Sequence, residues 1–305
     1  LKARAVFDLR DDHRLPVLLA VSGLAASTYH YWRVRFQAHG PAAPDRRVDA
    51  IRAVLIQRRK RHYGWRRVRA ELQVSGMFLS GKTVNRLMRQ HDLQSPIRAK
   101  RFNSYRGDDA AAHPAAPNIV ARNFDRDQPN RLWLTDVTEF ALDGPDPRRV
   151  YLSAIKDTFN GEIIAWTTST SPTVGFVTDM MKEAIGRNVL PADLILHSDQ
   201  GFQYRHRKFV NLLAQAGVTQ SMSRKGTCLD NSPMESFFGH MKDDMFRFES
   251  FTDPDSLIAE IDDYIGFYNH RRSQQRLDYL SPVAYRIRET AYLRNGGQML
   301  YGLAG

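Results

Sequence analysis

Leu132-Trp133-Leu134-Thr135-Asp136-Val137-Thr138-Glu139-Phe140-Ala141-Leu142 is rich in β-branched, aromatic and aliphatic residues and reads as a strand with one carboxylate, Asp136, set inside it. An acid in such a run is disfavoured unless it is solvated, paired or metal-bound. Strand-like runs follow at 150–156 and 162–168, punctuated by Gly144-Pro145 and Asn160-Gly161. The spacing of Val174, Val177, Met181 and Ile185 predicts a helix over 173–187. The apolar run Leu194-Ile195-Leu196 then ends at His197-Ser198-Asp199. A helix near 208–216 and a short strand near 219–222 complete the region. Three strands in meander, then strands alternating with helices, describe an α/β architecture: a mixed five-stranded sheet with helices on its faces.

Two more carboxylates punctuate this pattern. Asp199 closes a buried strand at its C-terminal end, where open sheets carry function. Asp230-Asn231-Ser232-Pro233-Met234-Glu235 starts a helix with Ser232 as N-cap, Pro233 at the first position, and Met234, Phe238, Met241 and Met245 on its apolar face. Three carboxylates gathered by a fold suit hard cations such as Mg²⁺ or Mn²⁺, and two such ions serve an in-line phosphoryl displacement with no covalent nucleophile. Each acid also has a structural reading. Ser232 and Glu235 have capping-box spacing, Asp199 before Gln200-Gly201 has turn chemistry, and Asp157 before Asn160-Gly161 reads as a turn residue. Lys242 follows Glu235 by seven residues and returns to nearly the same helix face roughly 10 Å further on. It is placed to hold a DNA phosphate or to sit on a solvated face; Arg224 and Lys225 in the preceding loop are similar candidates.

The chain of 305 residues divides unevenly in charge. Residues 1–120 hold 23 Lys/Arg against 9 Asp/Glu, and residues 121–305 hold 21 against 24. Residues 51–101 alone carry 14 basic and 2 acidic side chains, the footprint of a polyanion-binding surface. The organisation expected is a short helical segment at 1–37, resembling a helix-turn-helix, with Ser27-Thr28 capping its second helix. A linker at 38–46 leads to an all-α helix-turn-helix DNA-binding domain at 47–93. A second linker at 94–120 precedes the catalytic core at 121–250 and a helical tail at 251–305. Within the basic domain the DNA-facing candidates are Arg66, Arg67, Lys82, Thr83, Asn85, Arg86 and Arg89. In the tail, Leu257, Ile261, Ile265 and Tyr268 have the spacing of a packed face. Tyr268, Asn269, Arg271 and Arg272 read either as DNA contacts or as a polar cap ending the helix.

Several classes are set aside. No run reaches the ~20 apolar residues of a membrane span, and the first residues mix both charges without an apolar signal region. A single cysteine, Cys228, excludes a disulfide framework and a cysteine-rich zinc site, and points to a reducing, cytoplasmic compartment. Gly76-Met-Phe-Leu-Ser-Gly81-Lys82-Thr83 satisfies the P-loop pattern, but a basic helix precedes it where a P-loop needs a buried strand. His62, His197, His206 and His240 lack zinc-ligand spacing.

The stretches LTDVTEF, HSDQGFQY, QSMSRKGTCLDNSPMESFFGHMKDD and YNHRRSQQRLDYLSP resemble bacterial insertion-sequence transposases of the two-reading-frame (IS-three) group, downstream frame. Upstream, YGWRRVRAEL and LSGKTVNRLMRQHDL resemble the DNA-binding helices of that group, and LLAVSGLAASTYHYW its first helical motif. The resemblance runs from about residue 12 to 286. It implies an RNase H-like, integrase-type catalytic core in which Asp136, Asp199 and Glu235 form the metal-binding acidic triad, with two Mg²⁺ or Mn²⁺ ions. Lys242 matches the basic residue after the glutamate, and Asn231 falls in the same motif as a DNA-contact candidate. The implied reaction is DNA strand cleavage followed by 3′-hydroxyl strand transfer at the element ends. The alternative is an inactive, transposase-derived DNA-binding regulator. The implied partners are double-stranded DNA, at least a second copy of the chain, and an upstream-frame protein or fusion segment, in a bacterial, nucleoid-associated setting. Gln274 stands where the family usually has histidine, and Ser232 where alanine is common.

Overall fold

Strand β1 (Leu132–Ala141) forms the middle of the sheet. It pairs antiparallel with β2 (Arg149–Asp157) and parallel with β4 (Ile195–Ser198); β3 (Ile163–Ser169) and β5 (Thr219–Met222) take the edges, giving the order β3-β2-β1-β4-β5. The computed structural model describes residues 2–38, 45–95, 114–144, 148–246 and 249–294. Most of the 38–46 and 94–120 linkers, and the tail beyond 294, lie outside these residues.

Side-chain alternation along β1 separates two cores. Leu132, Leu134 and Phe140 pack with Met234, Phe237 and Met241 of α10 (Ser232–Phe246) and with Leu257, Ile261 and Ile265 of α11 (Pro254–His270). Trp133 packs on the opposite face with Val177 and Met181 of α7 (Val174–Arg187), beside α8 (Phe202–Arg205) and α9 (Arg207–Gln215). Asp136 has the parity of Leu132 and Leu134, so the sheet turns it toward α10.

The basic region forms three helices, α4 (Arg46–Leu55), α5 (Trp65–Val74) and α6 (Gly81–Gln90). Ser80 caps α6 by accepting from the Thr83 amide at 3.1 Å, and Gly76 takes φ +83 after α5. Helix, turn and helix thus account for the P-loop-like letters. Val48, Ile51, Val68, Leu72, Val84 and Leu87 share one continuous apolar cluster with α10 and α11, so this module is packed onto the core.

At the N-terminus α1 (Lys2–Asp8) precedes α2 (Leu15–Ser22) and α3 (Ala26–Ala38). Helix α1 was not expected, because its mixed charges hide the burial of Ala3 and Val6, while Phe7 meets Phe36 of α3 edge to face at 5.4 Å. Ser27 and Thr28 do not cap α3: the Tyr29 amide already donates to the Ala25 carbonyl, placing both inside the first turn. Part of the expected second linker is likewise ordered against the sheet, with Val120 buried and the Met222 amide donating to the Pro117 carbonyl. Helix α12 (Pro282–Arg294) ends the described chain. No helix among the described residues is long and apolar enough to cross a membrane.

Candidate active site

The parallel pairing of β1 with β4 ends at Leu134 opposite His197. Two residues beyond that pair stand Asp136 on one strand and Asp199 on the other. Sheet register alone therefore brings together two carboxylates that 62 residues separate in sequence. Burial pushes the Asp136 carboxyl well above the usual carboxylate range; Asp199 and then Glu235 push it the same way, while a hydrogen bond from the Val137 amide at 2.8 Å opposes them. The Asp199 carboxylate accepts from the Gly201 amide at 2.8 Å, so this acid does make the turn its sequence suggests, and its side chain still opens to solvent.

Glu235 lies on the first turn of α10, exposed. Ser232 has helical angles (φ −54, ψ −30) and continues a 3₁₀ turn over Cys228–Asn231, so it is not the N-cap. The capping box that offered a structural reason for Glu235 does not form. Lys242, two turns on, is half-buried; its ammonium lies over the Phe140 ring at 5.3 Å. Burial lowers its pKa, opposed by Glu139 and Asp136. Among the described residues no three acidic, histidine or cysteine side chains close into a preformed metal shell. The arrangement is open and oxygen-rich: two facing aspartates, a glutamate across from them, and one lysine.

Behind these acids the polar groups are buried and tied to partners. His197 is buried, with Nδ1 at 2.8 Å from the Ser221 hydroxyl and Nε2 at 3.1 Å from that of Ser223; burial lowers its pKa. Tyr204 is held well above the usual tyrosine range by burial and by Asp136 and Asp199. Asp157 is buried and accepts from the Asn130 and Phe159 amides and from Arg286, a structural ion pair more than a turn residue.

The DNA-contact candidates divide. Lys82, Arg86 and Arg89 are exposed along α6, with Thr83 and Asn85 half-buried beside them, and Arg66 is exposed on α5 over the Trp65 ring. Arg67 instead leans on Tyr63, where burial and Arg272 lower its pKa. Asn231 is buried and donates to the Thr135 carbonyl, so its side chain supports the strand. Arg272 is also buried, paired with Asp244 at 3.3 Å. Tyr268 donates to the Gly161 carbonyl, and Asn269 bonds both the amide and the carbonyl of Ile163. In that tail motif only Arg271 is exposed among these four. Lys225 is exposed, and Arg224 is chelated by Asp230. Arg122, which sequence reading passed over, shares that carboxylate.

Comparison with known proteins identifies the family. The integrase core domain family matches residues 126–228 and 235–289, and an HTH-like domain matches 44–101. The transposase InsK for insertion sequence element IS150 of Escherichia coli is 37% identical over 92% of this chain and 95% of its own length. A transposase-like protein of Haemophilus influenzae is 44% identical over 68% of this chain and 93% of its own. The catalytic core domain of BIV integrase superposes with a TM-score of 0.42 at 17% identity, covering 54% of this chain and 99% of that one. With a relative 37% identical over 92% of the chain and integrase core models matching on both sides of residue 230, the chain belongs to the insertion-sequence transposases, DNA transposases of the DDE type built on an integrase core.

Proposed function

We propose that Asp136, Asp199 and Glu235 hold the divalent cations of the strand-cleavage and strand-transfer reactions, and that Lys242 steadies a DNA phosphate beside them. The observation that carries this reading is the β1–β4 register, which sets Asp136 and Asp199 side by side on the sheet face covered by α10. The acids fit such ions. Burial and like charge leave Asp136 poorly stabilised as an anion, and an all-oxygen donor set open to solvent suits Mg²⁺ or Mn²⁺ sharing ligands with a substrate phosphate. When bound, two such ions activate the attacking oxygen and stabilise the leaving one. The protein's own part is alignment: Gly201 fixes Asp199, the Val137 amide fixes Asp136, and α10 presents Glu235 and Lys242 from one rigid element.

In the same reading α6 enters the major groove of element-end DNA through Lys82, Arg86 and Arg89, with Thr83, Asn85 and Arg66 beside it. Arg271 adds a backbone contact from the tail. Two element ends must be joined, so the working assembly contains at least two copies. The test is cleavage and strand transfer on labelled duplexes from the flanks of the gene, with Mg²⁺, Mn²⁺ or EDTA. Asp136→Asn, Asp199→Asn and Glu235→Gln are each expected to abolish metal-dependent chemistry and to keep DNA binding. Cleavage retained in any of them would remove that residue from the triad.

A further inference from the structure

The Asp230 carboxylate is completely buried, yet both guanidinium groups bonded to it reach the surface: the Arg224 and Arg122 side chains are 61% and 44% exposed. Arg224 donates from Nε and Nη2 to the two carboxylate oxygens, both at 2.9 Å, and its amide donates to Oδ2 at 3.2 Å. Arg122 Nε donates to Oδ1 at 2.7 Å, and Asn118 Nδ2 to Oδ2 at 2.9 Å. One negative charge thus holds two positive ones side by side. These bonds use two of the five N–H donors of Arg224 and one of those of Arg122.

The chain accepts an unusual backbone to make this pair. Ala121 and Arg122 have φ +47 and +66, a region that non-glycine residues seldom occupy, and the Ala121 amide is anchored on Asn118 Oδ1 at 2.9 Å. A surface arginine needs no such device to reach water. The loop that carries Arg224 and Asp230 is also stitched to the strands that bear Asp136 and Asp199. The Ser223 amide donates to the Ser198 carbonyl, next to Asp199, and Asn231 donates to the Thr135 carbonyl, next to Asp136. From Asn231 the chain runs straight into the helix of Glu235.

We infer that Arg122 and Arg224, braced by Asp230, form a phosphodiester-binding fork at the rim of the acidic site, gripping the DNA backbone close to the phosphate that reacts. A planar guanidinium pair with outward donors matches a phosphate oxygen pair in a way a lone lysine does not. The proposal rests on the acidic site lying where the preceding reading puts it, but binding is measured without chemistry, so the two can fail separately.

The experiment is equilibrium binding of the full chain to element-end duplexes in EDTA over a range of salt, for wild type, Arg122→Gln, Arg224→Gln and Arg224→Lys. A second set of duplexes carries a single neutral methylphosphonate at successive positions. Loss of one phosphate contact is expected to lower the salt slope by about 0.9. Arg224→Lys is expected to restore the slope in part. A methylphosphonate within a few nucleotides of the cleavage site should weaken wild type about as much as the fork variants, and should cost those variants nothing further. Arg187→Gln, on the exposed end of α7, should leave the slope unchanged. A wild-type slope in both glutamine variants overturns the fork, as does a methylphosphonate penalty that remains additive at every position. Asp230→Asn guards against misfolding as the cause. If its circular dichroism is native and its slope matches that of the glutamine variants, the carboxylate acts by holding the fork; a native fold with wild-type slope overturns the bracing role.

Discussion

Gly201 has no room for a side chain: a Cβ built on it would lie 2.9 Å from Asp199 Oδ1 and 3.2 Å from Gln203 Oε1. Its amide is also the group that fixes that carboxylate. Gly201→Ala is therefore expected to push Asp199 aside and to lower the rate of strand cleavage on the order of 10²-fold, with DNA affinity unchanged, because a displacement near 1 Å is enough to spoil an aligned reaction. Single-turnover cleavage at saturating DNA, beside a binding titration, checks it; a fall in affinity without a fall in rate would contradict it. Residue types and spacing name Asp136, Asp199 and Glu235 as candidates, and the strand register brings the two aspartates together. Type and spacing were not enough for Asn231 and Arg272, which have the chemistry of DNA contacts and yet are buried against the Thr135 carbonyl and Asp244. Polarity in a sequence says that a group needs a partner, not whether that partner is solvent, DNA or the protein itself.

Among the elements, α6 depends most visibly on one side chain. Ser80 supplies its N-cap through the Thr83 amide and also contacts the Thr83 hydroxyl at 2.9 Å. Ser80→Ala is expected to cost about 1 kcal/mol and to weaken element-end binding by fraying the turn that bears Lys82. A urea titration read by circular dichroism would show the first, and a binding isotherm the second. Ser80→Asp should preserve the fold, so stability lost in that variant as well would point away from capping. This helix was legible because its cap, its apolar face and its preceding glycine all agree locally. The start of α10 was not, because the capping-box letters of Ser232 and Glu235 are overridden by the 3₁₀ turn that Asp230 and Asn231 hold in place. A tertiary bond outweighed a local preference worth about as much as one cap.

At the scale of the whole molecule, the DNA-binding module is fastened to the catalytic core by buried charge. His62 lies 2.8 Å from Asp244 on α10, which also takes Tyr264 at 2.8 Å and Arg272 at 3.3 Å; Arg59 reaches Glu260 and Asp263 on α11, each at 2.6 Å. Removing one partner leaves an uncompensated buried charge, so Arg272→Ala is expected to destabilise the fold by about 3–5 kcal/mol. Calorimetry should show a lowered transition, and an unchanged one would mean that Asp244 is satisfied without Arg272. Burial alone would raise the Asp244 carboxyl, but His62, Arg272 and Tyr264 together hold it below its ordinary value of 3.8. A depressed carboxylate contributes stability that is fully present above the unfolded-state pKa and is lost as pH falls through the folded one. The protein should accordingly lose stability below about pH 4, and Asp244→Asn should flatten that acid limb in urea titrations run from pH 6 to pH 3.

What the sequence determined by itself was whatever depends on near neighbours and residue chemistry. That includes the five strand runs, the helical character of the basic region, the excess positive charge of the first 120 residues, and three carboxylates as candidates for one site. These rest on periodicity, capping and side-chain type, which a linear chain carries openly. Only the tertiary structure decided which distant groups meet. The parallel register sets Asp136 beside Asp199, α10 settles Lys242 over the Phe140 ring, the tail motif spends Tyr268, Asn269 and Arg272 on the interior, and a buried Asp230 draws Arg122 and Arg224 together. The reason is physical: burial and pairing are set by what the rest of the chain places opposite a residue, and that is decided across tens to hundreds of intervening positions.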